Sequence, residues 1–441
     1  MASARTIQIT TSNHGLRGTV QSDVAAQKTT ELLQRDLEMH HCFFNDRGFH
    51  NHISHQVLSL YGLGASTGDI QKGYDANKTY QRSMYQVHEN KIDELHNWEI
   101  AKERLGKEEN YIDFLVFFQK EIDKIGWQNV LNEYLFKGDE RSDDLLTRMF
   151  AGLIHPLIQL MFGVEWQQPA IVAMGLAQAA VHTLNMNKFL LTAEERAASN
   201  ETSMDTIDEI FRSVAANEKL SKAARPSDGN KLAAVLDRAW DEVIAAASRV
   251  KVRPEELESR TVEMYNTTVY RAAGAAMYPG KIPKFDFTLM HQVNVCPLFL
   301  AINAQDWIST SNKVRLLEWK IRFDLLSYAS RACAPASLDK IMAYIPKDVE
   351  TDILTRVVAL DDDGHVSKLV RSIQICQQAS KKFEEEQWIK LKGGELWSKL
   401  QRLALDAAEA PGPRWVRGAG ESEAWKASSN PIPLQNLHVM M

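Results

Sequence analysis

LLTRMFAGLIHPLIQLMFGVEWQQPAIVAMGLAQAAVHTL, residues 145–184, is the most telling stretch of the 441-residue chain. Its apolar residues do not alternate in twos. They occupy every side of two segments, 145–162 and 169–184, with Gly163 and Pro169 as punctuation between them. Segments of that length, apolar all round, read as two helices enclosed by the rest of the protein. The flanking sequence keeps the same period. Residues 111–125 place Ile112, Leu115, Val116, Phe118 and Ile122 on one face between lysines and glutamates. Residues 29–39 do so with Leu32, Leu33 and Leu37, and residues 51–63 with Ile53, Val57, Leu58, Leu60 and Tyr61, ending at Gly62 and Gly64. Segments 232–250, 313–334, 348–360 and 366–405 continue the series. Strand signals are confined to residues 6–10 (TIQIT, a short strand or an extended arm) and 284–289. The expected fold is all-α, a large multi-helix globule with few or no strands.

The expected organisation is an arm and first helix over 1–40, one helical catalytic domain over 41–405 and a tail over 406–441. A compositional joint falls near 195–230. Other joints are expected at 192–204, 221–230, 278–285 and 361–364, where Gly, Pro and Ser collect.

Composition closes several function classes. There are 51 basic against 57 acidic side chains, a formal charge of −6. No basic excess is available to neutralise nucleic-acid phosphates or to hold a polybasic membrane surface. The four cysteines form no CxxC pair, which argues against a zinc ribbon or a disulfide framework. The apolar windows 170–184 and 293–304 are shorter than a bilayer span, and residues 1–30 lack a signal-peptide core. The expected setting is cytoplasmic, without membrane or nucleic-acid partners. GxGxxG, Walker and GxSxG motifs are missing, and Gly62-Leu63-Gly64 follows a helical pattern rather than a strand, so a dinucleotide fold has no support.

Histidine carries the chemical signal. Of 13 histidines, five fall between Met39 and Gln56: His40, His41, His50, His52 and His55. His52 and His55 are three apart and share a helix face with the polar Gln56 and Ser59, a pattern that a solvated surface would also satisfy. His155 and His182 are set in strongly apolar segments, where an imidazole is either a core group satisfied by a carbonyl or a ligand in a buried site. Pro156 marks a start or kink beside His155. His291 lies in FDFTLMHQVNVCPLF, and His365 opens the last long helix with Lys368 three residues on. A buried lysine there has a lowered pKa or is carboxylated on nitrogen, becoming an oxygen ligand; an ordinary exposed lysine is the alternative. The paired ExxH pattern of di-iron bundles is matched once, at Glu38–His41, and loosely at Asp93–His96. A mononuclear histidine-rich site is therefore the better metal reading.

Several motifs together resemble the questin oxidase-like family of fungal polyketide pathways. They are FFNDRGFHNHISHQVLSLYGLGAS (43–66), Tyr74-Asp75-Ala76-Asn77, Tyr80-Gln81, GLIHPLIQLMFGVEW (152–166), AAVHTLN (179–185) and DGHVSKLVRS (363–372). The resemblance runs from about residue 40 to about 390. It departs from the family pattern at Gln159, often His, and at Trp166, often Phe. Members open the central ring of anthraquinones with O₂, with a net outcome like a Baeyer–Villiger insertion followed by hydrolysis. Some are described as NADPH-dependent, and the ring-cleaving branch as non-heme iron dioxygenases. The resemblance thus implies an oxygenase taking a small aromatic polyketide, with Fe²⁺ as cofactor and NADPH as a further candidate. Joined to the histidine reading, it assigns His155, His182, His291 and His365 to the metal, with Lys368 as an oxygen ligand when carboxylated. His52 and His55 take catalytic roles, and Phe49, Tyr61, Tyr80, Phe162 and Trp166 form substrate walls, although each of these five also suits plain core packing. Two other readings stay open here: a metal-free NADPH enzyme whose histidines act as acids and bases, and a non-catalytic carrier of aromatic polyketides.

Overall fold

Helices carry 63% of the chain and strands 1% in the computed structural model, which describes residues 1–183, 186–200 and 202–428. No sheet forms among the described residues; three isolated bridges are present. The helices that frame the site are, in chain order, α1 (Asp23–Met39), α2 (Ile53–Leu63), α3 (Tyr111–Ile125), α4 (Ala151–Glu165), α5 (Pro169–Val181), α6 (Leu257–Ala275), α7 (Phe287–Asn294), α8 (Thr310–Ala329), α9 (His365–Ser380) and α10 (Gly394–Glu409). Shorter helices and turns connect them. The all-α expectation holds.

The two apolar segments behave as their composition demands. From Ala170 to Val181 every side chain of α5 is buried, as is nearly every one in α4. They pack on each other, with α3 on the far side of α5. Gly163 makes the crossing close. A Cβ there would come within 2.7 Å of the Val172 amide nitrogen, nearer than real Cβ atoms approach. Pro169 opens α5 at its first turn, where the missing N–H costs nothing.

The structure departs from the sequence pattern at several joints. The expected helix over 145–162 breaks. A helix over Glu140–Arg148 and α4 meet at 99°, through left-handed φ values at Gly152 (53°), Leu153 (55°) and Ile154 (63°). The apolar pattern runs straight through the break, because both sides of the bend are buried and periodicity does not report direction. The expected span 366–405 is likewise two helices, α9 and α10, separated by Lys381–Phe383 in a 3₁₀ turn and by Gly393. Residues 6–10 form no strand. Their amides bind side chains: Ile7 to Gln34 Oε1 (2.8 Å), Gln8 to Gln168 Oε1 (2.9 Å) and Ile9 to Thr30 Oγ1 (2.9 Å). The 284–289 strand signal reduces to one bridge, Asp286 with Val416. The expected joint 192–204 is helical as far as Ala198. Leu184, the expected end of the second apolar helix, and residues 429–441 of the expected tail lie outside the described residues. No single helix among the described residues is long and apolar enough to cross a membrane.

Candidate metal centre

Four local backbone features aim four imidazoles at one another. His52 is the residue that precedes α2, and the Asn51 side chain accepts the Ile53 amide beside it (2.9 Å). The left-handed turn 152–154 delivers His155 to the first turn of α4. Asp286 caps α7 by accepting the amides of Thr288 (2.8 Å) and Leu289 (3.1 Å), one turn before His291. Asp362 accepts the amides of Val366 and Ser367 (both 3.0 Å) and fixes the start of α9 at His365. All four histidines are buried.

Their hydrogen bonds settle the tautomers. Nδ1 of His155 donates to Gly152 O (2.6 Å), and Nδ1 of His291 to Phe287 O (2.5 Å). Nδ1 of His365 donates to Asp363 Oδ1 (2.6 Å), and Nδ1 of His52 to Asp363 O (3.1 Å). A carbonyl or carboxylate oxygen only accepts, so each Nδ1 bears the proton and each Nε2 presents a lone pair. Those lone pairs face each other. His52 Nε2 lies 2.9 Å from His155 Nε2, and His291 Nε2 lies 3.2 Å from His365 Nε2. Two acceptors at hydrogen-bond distance with no proton between them repel unless a cation joins them. Imidazole nitrogens bound to one divalent ion at about 2.1 Å sit roughly 3 Å apart when cis. The ligand atoms of His52, His155 and His365 all lie within 4.8 Å of one another, and the His291 ring centre is 4.8 Å from that of His155. This cluster could hold a metal ion. The Nδ1 contacts are the outer hydrogen bonds that orient histidine ligands in metal sites.

The electrostatics agree. Burial first, then the charges of neighbouring imidazoles and Lys368, push His52, His155 and His291 well below the ordinary imidazole value of 6.5. They are neutral at pH 7, the form a metal requires.

The other expected ligands lie near but differently. Lys368 is 1% exposed, and its Nζ sits 3.1 Å from His55 Nδ1. Burial draws Lys368 down to about 8, with Asp363 and Asp362 opposing. His55 Nε2 is buried without a partner among the described residues, and its ring stacks on Phe162 at 5.3 Å. His182 is not brought to the group of three. It pairs with His50, Nε2 to Nε2 at 2.8 Å, and His50 stacks flat on His155 at 3.9 Å. Burial, then Arg148, pulls His182 to about 4. Gly152 makes room for this second pair: a Cβ there would collide with the His182 ring, and its φ of +53° suits glycine.

A cavity of about 460 Å³ opens beside the imidazoles. His50, His52, His155 and His365 form its floor, and Phe44, Phe49, Phe287 and Trp415 its walls. Of the five expected substrate residues, only Phe49 lines it. Tyr80 packs edge-on against Phe44 at 4.9 Å, one layer out. Tyr61 and Trp166 pack on each other at 5.4 Å inside the core, because their positions on α2 and at the end of α4 turn inward. Phe162 backs His55. Gln159, at a position where the family often has His, accepts the Ser54 hydroxyl at 2.9 Å and is buried. Sequence reasoning missed His50 and Asp363 as parts of the site, although both lie inside quoted motifs. It also missed Phe287, one turn before His291, and Trp415, for which no sequence signal exists.

Comparison with known proteins follows the same line. A family described as questin oxidase-like matches residues 49–373. Oxidoreductase AflY of Aspergillus parasiticus is 35% identical over 403 residues, covering 89% of this chain and 81% of that protein. The questin oxidase of Aspergillus fumigatus is 34% identical over 418 residues (91% and 94%). The Baeyer–Villiger oxidase ptaJ of Pestalotiopsis fici is 33% identical over 411 residues (90% and 92%). The imidazole cluster falls within the matched span, with part of the cavity wall (Phe44, Trp415) outside it, and the chain belongs to the questin oxidase-like family.

Proposed function

We propose that this oxidoreductase opens the central ring of an anthraquinone or anthrahydroquinone of fungal polyketide metabolism, using O₂ at a mononuclear non-heme iron held by His52, His155, His291 and His365. The outcome is of the Baeyer–Villiger type, followed by hydrolysis. One observation carries the reading: two pairs of buried imidazoles point lone pair at lone pair at 2.9 and 3.2 Å, with every Nδ1 proton already given to an oxygen. The names of the relatives, questin oxidase and Baeyer–Villiger oxidase, favour the same chemistry.

Iron(II), when bound, would supply a position for O₂ activation. The chain does the rest. Phe44, Phe49, Phe287 and Trp415 receive a flat ring system by stacking and apolar burial, and the enclosed floor excludes water from the reacting carbon. Asp363 and the carbonyls of Gly152 and Phe287 hold the ligand tautomers. His50 borders the cavity and shares its Nε2 contact with His182, so one proton can rest between the two rings and be returned to a product oxygen. His52, an expected proton carrier, is a metal ligand in this reading, which its 2.9 Å contact with His155 supports. Lys368, N-carboxylated, would add an oxygen ligand from the His55 side of the cluster.

The test is elemental analysis of purified protein together with O₂ uptake on an emodin-type hydroquinone, with and without NADPH. Near-stoichiometric iron and iron-dependent uptake are expected. Replacing His155 or His291 by Ala should abolish both. Metal-free protein that turns over with NADPH would overturn the iron assignment, and intact mass spectrometry showing no added CO₂ would remove Lys368 from the ligand set.

A further inference from the structure

Beyond α10 the chain returns across the site. Val416 N donates to Phe285 O (3.0 Å), and Phe287 N donates to Val416 O (2.8 Å). Asp286, whose Oδ1 caps α7, uses Oδ2 to accept the amides of Gly418 (2.7 Å) and Ala419 (3.0 Å). One buried carboxylate therefore pins this strap to the helix that carries His291. Val416 is buried, and its neighbours Trp415 and Arg417 both line the cavity, as extended backbone places residues two apart on one side. The family match ends at residue 373, so this part of the wall comes from outside it.

Arg417 is the unexplained group. Its guanidinium carbon lies 3.9 Å from the centre of the Phe287 ring. No side-chain hydrogen bond or carboxylate partner is made by it among the described residues. Asp286, whose charge acts on it, already accepts four amides. Arg47 also lines the cavity, and its guanidinium likewise makes no hydrogen bond or ion pair among the described residues. Stacking on Phe287 satisfies none of the five guanidinium N–H donors. Arg417 is exposed at the rim, and a flat neutral ligand in the cavity would strip water from the donors that face it and give nothing back, whereas an anionic oxygen would pair with them.

We propose that Arg417 reads an anionic oxygen substituent, a carboxylate or an ionised phenol, on the flat aromatic substrate, and so sets specificity. The inference rests on the cavity being the substrate site of the proposed reaction, but it does not depend on turnover. Phe287 and Trp415 hold the ring face, and the guanidinium offers a planar fork to the oxygens at its edge. Because Arg417 reaches solvent at the rim, the pairing weakens as salt rises.

Equilibrium binding to the full chain, read by quenching of tryptophan emission, tests this without catalysis. The probes are anthraquinone-2-carboxylate against its carboxamide, and 2-hydroxyanthraquinone above its phenol pKa against its methyl ether. The native protein should favour each anion by about tenfold or more. R417Q should erase that preference and leave carboxamide affinity within about twofold, R417K should keep part of it, and R47Q should keep most. Equal affinities in the native protein, or a preference that survives R417Q, would overturn the proposal. So would loss of carboxamide binding in R417Q, since Arg417 would then shape the cavity rather than read charge. Selective binding without O₂ uptake would defeat the ring-opening reading alone.

Discussion

Asp363 stands two residues ahead of His365, and it serves two imidazoles at once. Its carboxylate accepts a hydrogen bond from Nδ1 of His365, and its carbonyl accepts one from Nδ1 of His52. An Asp363→Asn change keeps the carbonyl and replaces a charged acceptor with a neutral amide whose NH₂ group competes for the same place. Metal affinity should fall about 10- to 100-fold, with the helical circular dichroism signal unchanged. A titration showing native affinity would mean that the carboxylate does not orient the ring. At this level the sequence was partly readable. His155 and His291 stood out because an imidazole in an apolar segment needs a reason to be there, and His365 because it opens the last long helix inside the motif DGHVSKLVRS. His182 stood out equally and lies one ring behind the cluster, against His50. Nothing in residue type separates the two cases, since both are imidazoles facing another imidazole, His182 half-buried and the others buried. The difference is which ring lies on the far side of Gly152.

Helices were legible where periodicity alone defines them, and illegible where the chain bends inside the core. α2, α3 and α5 begin and end close to their sequence signals. The 99° bend ahead of α4 left no trace in the apolar periodicity, which continues through it; Pro156 was the one residue that marked a start or kink there. Two tests belong here. Gly163 sits under the Val172 amide, and Gly163→Ala should cost roughly 1–3 kcal/mol by forcing α4 and α5 apart, read as a lower urea midpoint at unchanged slope. Asp286 accepts two amides of α7 and two of the strap, so Asp286→Ala removes a helix cap and a tether together. A loss of about 2 kcal/mol or more is expected. Limited proteolysis should then cut within residues 410–428 before it cuts elsewhere. Cleavage no faster than in the native protein would show that the strap is held by other contacts.

Across the whole molecule, the cost of gathering so many imidazoles in one dry place should be visible as pH sensitivity. His50, His52, His55, His155 and His291 are all driven well below 6.5, by burial first. Between that depressed range and 6.5 the unfolded chain binds protons that the fold refuses. The stability these groups contribute is therefore fully present above pH 6.5 and is lost as pH falls through the window, by up to about 1.4 kcal/mol per pH unit for each ring. Metal-free protein should show a level Tm above pH 6.5 and a steep decline below it; a Tm that stays level down to pH 5 would contradict the burial of the cluster. The all-α class and several of the imidazoles that meet at the site could be read from residue order, because burial demands apolar periodicity and a histidine inside such a segment breaks it; the family was legible only through the resemblance of its linked motifs. Which imidazoles face one another, where the aromatic walls stand and how a strap from beyond residue 410 supplies Trp415 and Arg417 were set by the tertiary structure alone. Those are distances between segments hundreds of residues apart, and local periodicity carries no term for them.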